Sequence, residues 1–249
     1  MLIKGSEIYR TKDKLGPIIV LEEGGRRFLA FDDKQKQSCV SKNQPSELVY
    51  EYTQAMALAL AMKPKIENAF IGGLGGGSLA HFLLKFFPHC QITALEYRAA
   101  VVKVAREYFY LPETEKLDVK VEDLKDYLAG KDKTRFDAMW LDLYTAEGMH
   151  EQQKNLKLYK RSFKRLSSEG VMVVNLASQD PASCKNVVEE LERISAQPCY
   201  TLKLSGGNFM AFAFKGERLP LNQRALNESV GALSKLSSTQ FGKIAERLR

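Results

Sequence analysis

The chain has 249 residues, 45% of them apolar, which can fill the core of one large α/β domain or of a domain with a small appendage. Its formal charge of +7 comes from 37 basic residues interspersed among 30 acidic ones, with no basic stripe or nucleic-acid module, which argues against a nucleic-acid partner. Cys39, Cys90, Cys184 and Cys199 form no CxxC pair and stand beside only three histidines, so neither a metal site nor a disulfide framework is indicated and a reducing cytoplasm is the expected setting.

The amino terminus, MLIKGSEIYR, has no apolar signal core, and the run AMALALAM at 55–62 is too short to cross a bilayer, so no membrane partner is expected. Two β-rich runs, Ile18 to Leu21 and Arg26 to Phe31, flank Gly24-Gly25, which tolerate the positive φ of a tight hairpin. Residues 1–45 are therefore predicted to form an N-terminal β-strand domain. Leu48, Tyr52, Ala55, Ala59 and Met62 then recur at helical spacing, with Ser46 as the expected cap and Pro64 as the stop.

From NAFIGG onward strands and helices alternate. The strands are NAFIGG, QITALE, LDVKVED, FDAMWLDLY and GVMVVNLA; between them lie the helical stretches SLAHFLLKFF, RAAVVKVAREYFY, LKDYLAG and EQQKNLKLYKRSFKRLSS. This rhythm predicts a parallel sheet covered on both faces. A further helix, ASCKNVVEELERISA, leads into CYTLKLSGGNFMAFAFKG, two strands closed by Gly206-Gly207-Asn208 as a hairpin. A mostly parallel seven-stranded sheet ending in an antiparallel hairpin is the Rossmann-like methyltransferase fold, and it disfavours a nicotinamide enzyme. Residues 46–215 are predicted to form this nucleoside-binding catalytic domain. Residues 216–249 read as an amphipathic helical tail, with Leu233, Leu236 and Phe241 available to pack.

The stretch FIGGLGGGSL places Gly72, Gly73, Gly75, Gly76 and Gly77 in the turn after the first parallel strand, where backbone must approach a ligand without Cβ clashes. Gly75-x-Gly77-x-x-Ala80 also satisfies a permissive dinucleotide fingerprint, which is weak taken alone. Glu96 ends the next strand, nineteen residues after Gly77, where a carboxylate can accept both hydroxyl hydrogens of a ribose. Asp123 ends the third strand and can accept from an adenine amino group or simply cap the following helix. Asp142 follows AMWL at the same rim, as a base, a cation binder, or an acceptor for loop amides.

Together these features resemble the spermidine synthase family, the polyamine aminopropyltransferases. LVYEY is similar to the family's SYQE-type helix and puts Tyr50 at its substrate-contacting tyrosine; IGGLGGGSL lines up with IGGGDGGTL without a gap. ALEY resembles the ribose-binding segment, VEDLKDYL the adenine-binding one, and RFDAMWLDLY the catalytic strand of the DSSD type. The likeness spans roughly residues 16–215. It implies a nucleoside site of Gly72, Gly73, Gly75, Gly77, Glu96 and Asp123 for decarboxylated S-adenosylmethionine or S-adenosylmethionine, with no metal. It further implies Asp142 as the base on the attacking amine, Tyr50, Glu51 and Tyr144 at a small-molecule amine substrate, and a homodimer.

The departures narrow this reading. Gly75 stands where the family has the loop aspartate, Glu51 where a glutamine is usual, and Asn175 replaces the glutamine of the following strand; Leu143-Tyr144-Thr145 lacks the second acid of DSSD. A polyamine is a multiple cation whose positioning normally takes several carboxylates, and here Asp142, Glu51 and Glu147 remain. Three functions stay open: aminopropyl transfer, S-adenosylmethionine-dependent methyl transfer favoured by the neutral Gly75, and a catalytically silent nucleoside binder.

Overall fold

The computed structural model describes residues 4–216, 223–237 and 239–249. Four strands, β1 (Ser6–Asp13), β2 (Gly16–Glu23), β3 (Arg26–Ala30) and β4 (Lys36–Ser41), form an antiparallel meander in the order β1-β2-β3-β4. Both faces of this sheet are covered, which is why Ile18 through Leu21 are all buried rather than alternating. Ile18, Val20, Leu29 and Val40 face Val101, Val104 and Phe109, whereas Ile19, Leu21, Phe28 and Cys39 face Val49 and Tyr50.

That second face explains where the next helix starts. Helix α1 (Glu51–Ala57) begins after an extended Tyr50 with no side-chain cap, so the expected Ser46 cap is not formed. Residues 44–47 make a turn instead, Glu47 N–H donating to the Gln44 carbonyl at 2.9 Å, and the segment that follows is spent covering the sheet. The helical pattern also breaks at Leu58, and α2 (Ala59–Met62) is a separate turn ending before Pro64. At the break, the Met56 carbonyl accepts from the buried Trp140 indole N–H at 2.9 Å. Trp140→Phe is expected to cost about 1–2 kcal/mol by removing that buried hydrogen bond, read as a shift of the urea midpoint with an unchanged slope.

The larger sheet is built from β5 (Asn68–Gly72), β6 (Gln91–Glu96), β7 (Leu117–Val121) and β8 (Phe136–Leu141), with α3 (Ser78–Phe86), α4 (Ala99–Tyr108) and α5 (Leu124–Ala129) between them. After β8 the predicted long strand turns aside: β9 (Tyr144–Thr145) and β10 (Gly148–Met149) form a two-rung hairpin. The predicted helix at 151–168 is likewise divided, into a 3-10 turn (Glu151–Lys154) and α6 (Leu156–Lys164), because Asn155 caps the second piece through Lys157 N–H at 3.1 Å. Then come β11 (Leu166–Ala177), α7 (Pro181–Ser195), and the closing hairpin of β12 (Tyr200–Lys203) and β13 (Asn208–Phe214).

The strand order is β12-β13-β11-β8-β5-β6-β7, parallel except that β13 runs against both neighbours. This is the predicted methyltransferase-type sheet. The order reverses between β5 and β8, and at such a switch point the loops beyond the strand ends part to leave a crevice. Gly72 and Asp142 sit at its two lips, joined by Asp142 N–H donating to the Gly72 carbonyl at 2.8 Å.

In the tail, α8 (Gln223–Ser237) packs against α2, and α9 (Gly242–Ala245) packs against α1. Leu233 and Phe241 are buried as expected, Phe241 edge-on to Phe82 at 6.3 Å, but Leu236 is half exposed because it lies on the outer side of α8. The start of the predicted tail, 217–222, lies outside the described residues. No helix among the described residues is long and apolar enough to cross a membrane. The four cysteines are buried, and no disulfide joins them.

Candidate active site

A cavity of about 760 Å³ opens at the switch point, roomy enough for a nucleoside-sized ligand together with a small second molecule. Of the residues singled out from the sequence, Tyr50, Glu51, Gly73, Gly75, Glu96, Asp123, Asp142 and Tyr144 line it. Gly72 and Gly77 do not form its wall: Gly72 ends β5 beneath the rim, and Gly77 precedes α3 with a left-handed φ of 80°.

The glycine loop is shaped by two close approaches. Gly73 has φ of 95°, and a Cβ built on it would overlap the Asp142 carbonyl oxygen; the β5 and β8 ends therefore touch only because residue 73 lacks a side chain. Gly75 differs. Its φ is 53°, and its Cβ position meets only Ser38 of β4, at 3.6 Å. The N-terminal sheet thus reaches the loop from above, further fixed by Ser78 Oγ donating to the Cys39 carbonyl at 2.8 Å.

Glu96 is fixed by backbone donors, Arg98 N–H at 3.0 Å to Oε1 and Gly75 N–H at 3.4 Å to Oε2. Burial raises its pKa above the ordinary carboxylate value, against the lowering pull of those amides and of Arg98. Arg98 in turn grips Asp13 through Nε at 3.0 Å and Nη2 at 2.9 Å, and the Gly16 carbonyl at 2.8 Å. This pins the β1–β2 turn over the same end of the cavity. Asp123 caps α5, Oδ1 accepting from Lys125 N–H at 2.8 Å, and Oδ2 accepts from the Gln152 side-chain amide at 2.6 Å. Each oxygen keeps a second lone pair for a ligand.

Asp142 stands at the β8 lip of the cavity, against the Gly73 turn. Burial pushes its carboxyl up to about 6, although Asn175 donates to Oδ1 at 2.8 Å and pulls the other way. Asn208 donates to Asn175 Oδ1 at 3.0 Å, so the rim acid is oriented by a chain of two amides. Buried Gln153 closes the arrangement, accepting from Leu143 N–H at 2.6 Å and donating to the Asn175 carbonyl at 2.8 Å. Tyr144 Oη is buried near Asn208 without a hydrogen bond of normal geometry. Tyr50, Tyr52 and Tyr144 all have phenols raised above the ordinary value, first by burial, so these aromatic walls stay neutral. Tyr52 and Tyr144 also feel the charge of Asp142. Glu51 is held by Arg247 Nη1 at 2.8 Å and by Ser205 Oγ at 3.3 Å, and Glu147 is exposed on the β9–β10 hairpin, accepting from Thr145 Oγ1 at 2.8 Å.

Chemically, the cavity brings together Glu96 and Asp123, two carboxylates whose oxygens are oriented by backbone and amide donors, and Asp142, a carboxylate with a pKa of about 6 among neutral aromatic walls. The residues that sequence patterns did not single out are Ser38, Tyr52 and Asn208, which line the cavity, and Gln153 and Arg247, which hold lining residues in place. They come from elements far apart in the chain, and only the β5–β8 crossover and the packed N-terminal sheet bring them together.

No protein-family model matches the chain. It is 27% identical over 241 residues to a polyamine aminopropyltransferase of Vibrio vulnificus, covering 91% of this chain and 77% of that one. A probable spermidine synthase from Corynebacterium glutamicum superposes with a TM-score of 0.77 at 16% identity, covering 91% of this chain and 86% of its own. Human methyltransferase-like protein 13, in complex with SAH, superposes with a TM-score of 0.68 at 22% identity, covering 76% of this chain and 93% of its own. The two structures share the fold with this chain.

Proposed function

We propose, for a chain that is a divergent member of the spermidine synthase family of polyamine aminopropyltransferases, that it transfers an aminopropyl group from decarboxylated S-adenosylmethionine to an amine. The observation that carries this reading is the gathering of two sets of groups in one cavity: Gly73, Gly75, Glu96 and Asp123, which suit a nucleoside, and beside the Gly73 turn Asp142, with a pKa of about 6.

The donor's sulfonium is already an excellent leaving group, so the protein's task is alignment and proton removal. Glu96 accepts the ribose hydroxyls and Asp123 the adenine amino group, while Gly73 and Gly75 let the chain pass close to the sulfonium end. The amine nitrogen attacks the carbon bound to sulfur. The amine's ammonium form first gives a proton to Asp142, freeing the lone pair; the new C–N bond then forms as the C–S bond breaks, its electrons stay on sulfur as a neutral thioether, and the product leaves as a secondary ammonium. A base near pKa 6 is mostly ionised at neutral pH and still accepts a proton readily. Tyr50, Glu51 and Tyr144 wall the acceptor, with Asn175 and Asn208 holding Asp142 in register. The family likeness extends the proposal to a homodimer working in the cytoplasm.

One observation favours a second reading, methyl transfer from intact S-adenosylmethionine: Gly75 brings no negative charge against a methionine carboxylate. Calorimetry separates the two. Aminopropyl transfer predicts that the decarboxylated donor binds more tightly than the intact one; tighter binding of the intact donor would support methyl transfer, and binding of neither would sink both. Glu96→Gln is expected to weaken binding of either donor about 10- to 100-fold by removing a charge-assisted acceptor. Because the ribose contact needs Glu96 ionised and its pKa is raised, donor affinity is expected to fall on acidification in the wild type, and to lose that pH dependence in Glu96→Gln.

A further inference from the structure

Six carboxylates line the cavity, and they are not equivalent. Glu96, Glu122 and Asp123 belong to the nucleoside end, and Glu147 stands exposed on its hairpin. Two remain for the acceptor, Asp142 and Glu51. A diamine or polyamine bound for attack presents one nitrogen to the base and at least one further ammonium, which needs a carboxylate of its own.

Glu51 does not offer one freely. Arg247 donates to Glu51 Oε1 at 2.8 Å, with Ser205 Oγ on Oε2 at 3.3 Å. Arg247 is held in place from three sides. Its Nη2 donates to the Lys203 carbonyl at 3.3 Å; just before it, Ile244 and Ala245 of α9 are buried against the core; just after it, Arg249 pairs with Thr201 of the edge strand β12 through two backbone bonds of 2.8 and 2.9 Å. The guanidinium Nε is nevertheless buried without a partner, an arrangement that is poor for stability alone.

We propose that Arg247 is a specificity-determining residue that neutralises Glu51, so that the acceptor end carries one uncompensated carboxylate, Asp142, and takes amines with a single positive charge. This deepens the transferase reading and rests on it. The acceptor class is a primary monoamine whose remainder is neutral, packed against Tyr50, Tyr52 and Tyr144. A polyamine binds no better than such a monoamine, because Glu51, the carboxylate its second ammonium would need, is already paired with Arg247.

The test uses two probes of equal length, butylamine and 1,4-diaminobutane, titrated by calorimetry into the full chain saturated with methylthioadenosine. In the wild type the two are expected to bind within about threefold of each other. In Arg247→Gln the diamine is expected to tighten about tenfold, as a released carboxylate gains a charge-assisted contact worth roughly 1.4 kcal/mol, while butylamine stays unchanged. Adding Glu51→Gln to Arg247→Gln should cancel that gain. The inference is overturned if the wild type already prefers the diamine tenfold, if Arg247→Gln tightens neither probe or both alike, or if no amine binds. The wild-type comparison decides the point alone should the variant not fold. Failure of the transferase reading shows separately, as absence of methylthioadenosine formation from the decarboxylated donor with any amine.

Discussion

Asp142→Asn is expected to lower the turnover of aminopropyl transfer about a thousandfold, the usual scale for removing a positioned base, with donor affinity preserved within about threefold because Glu96 and the glycine loop are untouched. The wild-type rate should rise with pH through about 6, where Asp142 ionises, and the residual rate of the variant should lack that limb. The same substitution is expected to stabilise the protein. The folded-state pKa of about 6 lies above the ordinary 3.8, so the native state holds the proton more tightly than the unfolded chain. The advantage of the protonated form is complete below about 3.8 and is lost as pH rises to about 6. Above that, the wild type carries a buried charge costing at most about 3 kcal/mol. Asparagine retains an acceptor for Asn175, so the variant should melt higher at pH 8 and gain nothing near pH 3.5. Full activity in the variant would remove Asp142 from the mechanism. Lower stability at pH 8 would mean that its burial is compensated by contacts with no counterpart in the present geometry.

Gly73→Ala carries the largest expected structural effect. Its φ of 95° is unfavourable for any L side chain, and the added methyl would overlap the Asp142 carbonyl. Neither defect can relax independently, because Asp142 N–H is bonded to the Gly72 carbonyl and the two strand ends are already in contact. A loss of about 4 kcal/mol or more in urea unfolding is expected, or a fold that persists with the rim spread and donor binding gone. Gly75→Ala is the matched control. Its φ of 53° is the left-handed region, and the methyl meets only ordinary contact with Ser38, so a cost of about 1–2 kcal/mol is expected. Equal tolerance of both substitutions would show that the β5–β8 contact does not shape the donor site.

Much of this was legible in the sequence for a physical reason: parallel strands buried on both faces read as continuous apolar runs, and glycines and acids at their ends mark the rim. The β5 to β8 strands, the closing hairpin and the gathering of Glu96, Asp123 and Asp142 at one edge all follow from that pattern. Local signals failed where tertiary contacts overrode them. Ser46 is a good capping residue, yet the helix starts at Glu51 because Val49 and Tyr50 are drawn onto the N-terminal sheet. The strand through Tyr144 stops at Leu141 because Leu143 N–H is claimed by Gln153. Leu236 lies on the apolar side by composition but faces outward in α8. The pairing of Glu51 with Arg247, 196 residues later, has no periodicity or motif to announce it.

The most direct measurement is the identity of the nucleoside released when the full chain is incubated with decarboxylated S-adenosylmethionine and an amine, followed by mass spectrometry. Aminopropyl transfer predicts methylthioadenosine in one-to-one ratio with an acceptor heavier by one aminopropyl group, and both products formed about a thousandfold more slowly with Asp142→Asn. Absence of methylthioadenosine from the wild type across butylamine and 1,4-diaminobutane, or formation of S-adenosylhomocysteine from the intact donor in its place, would contradict it.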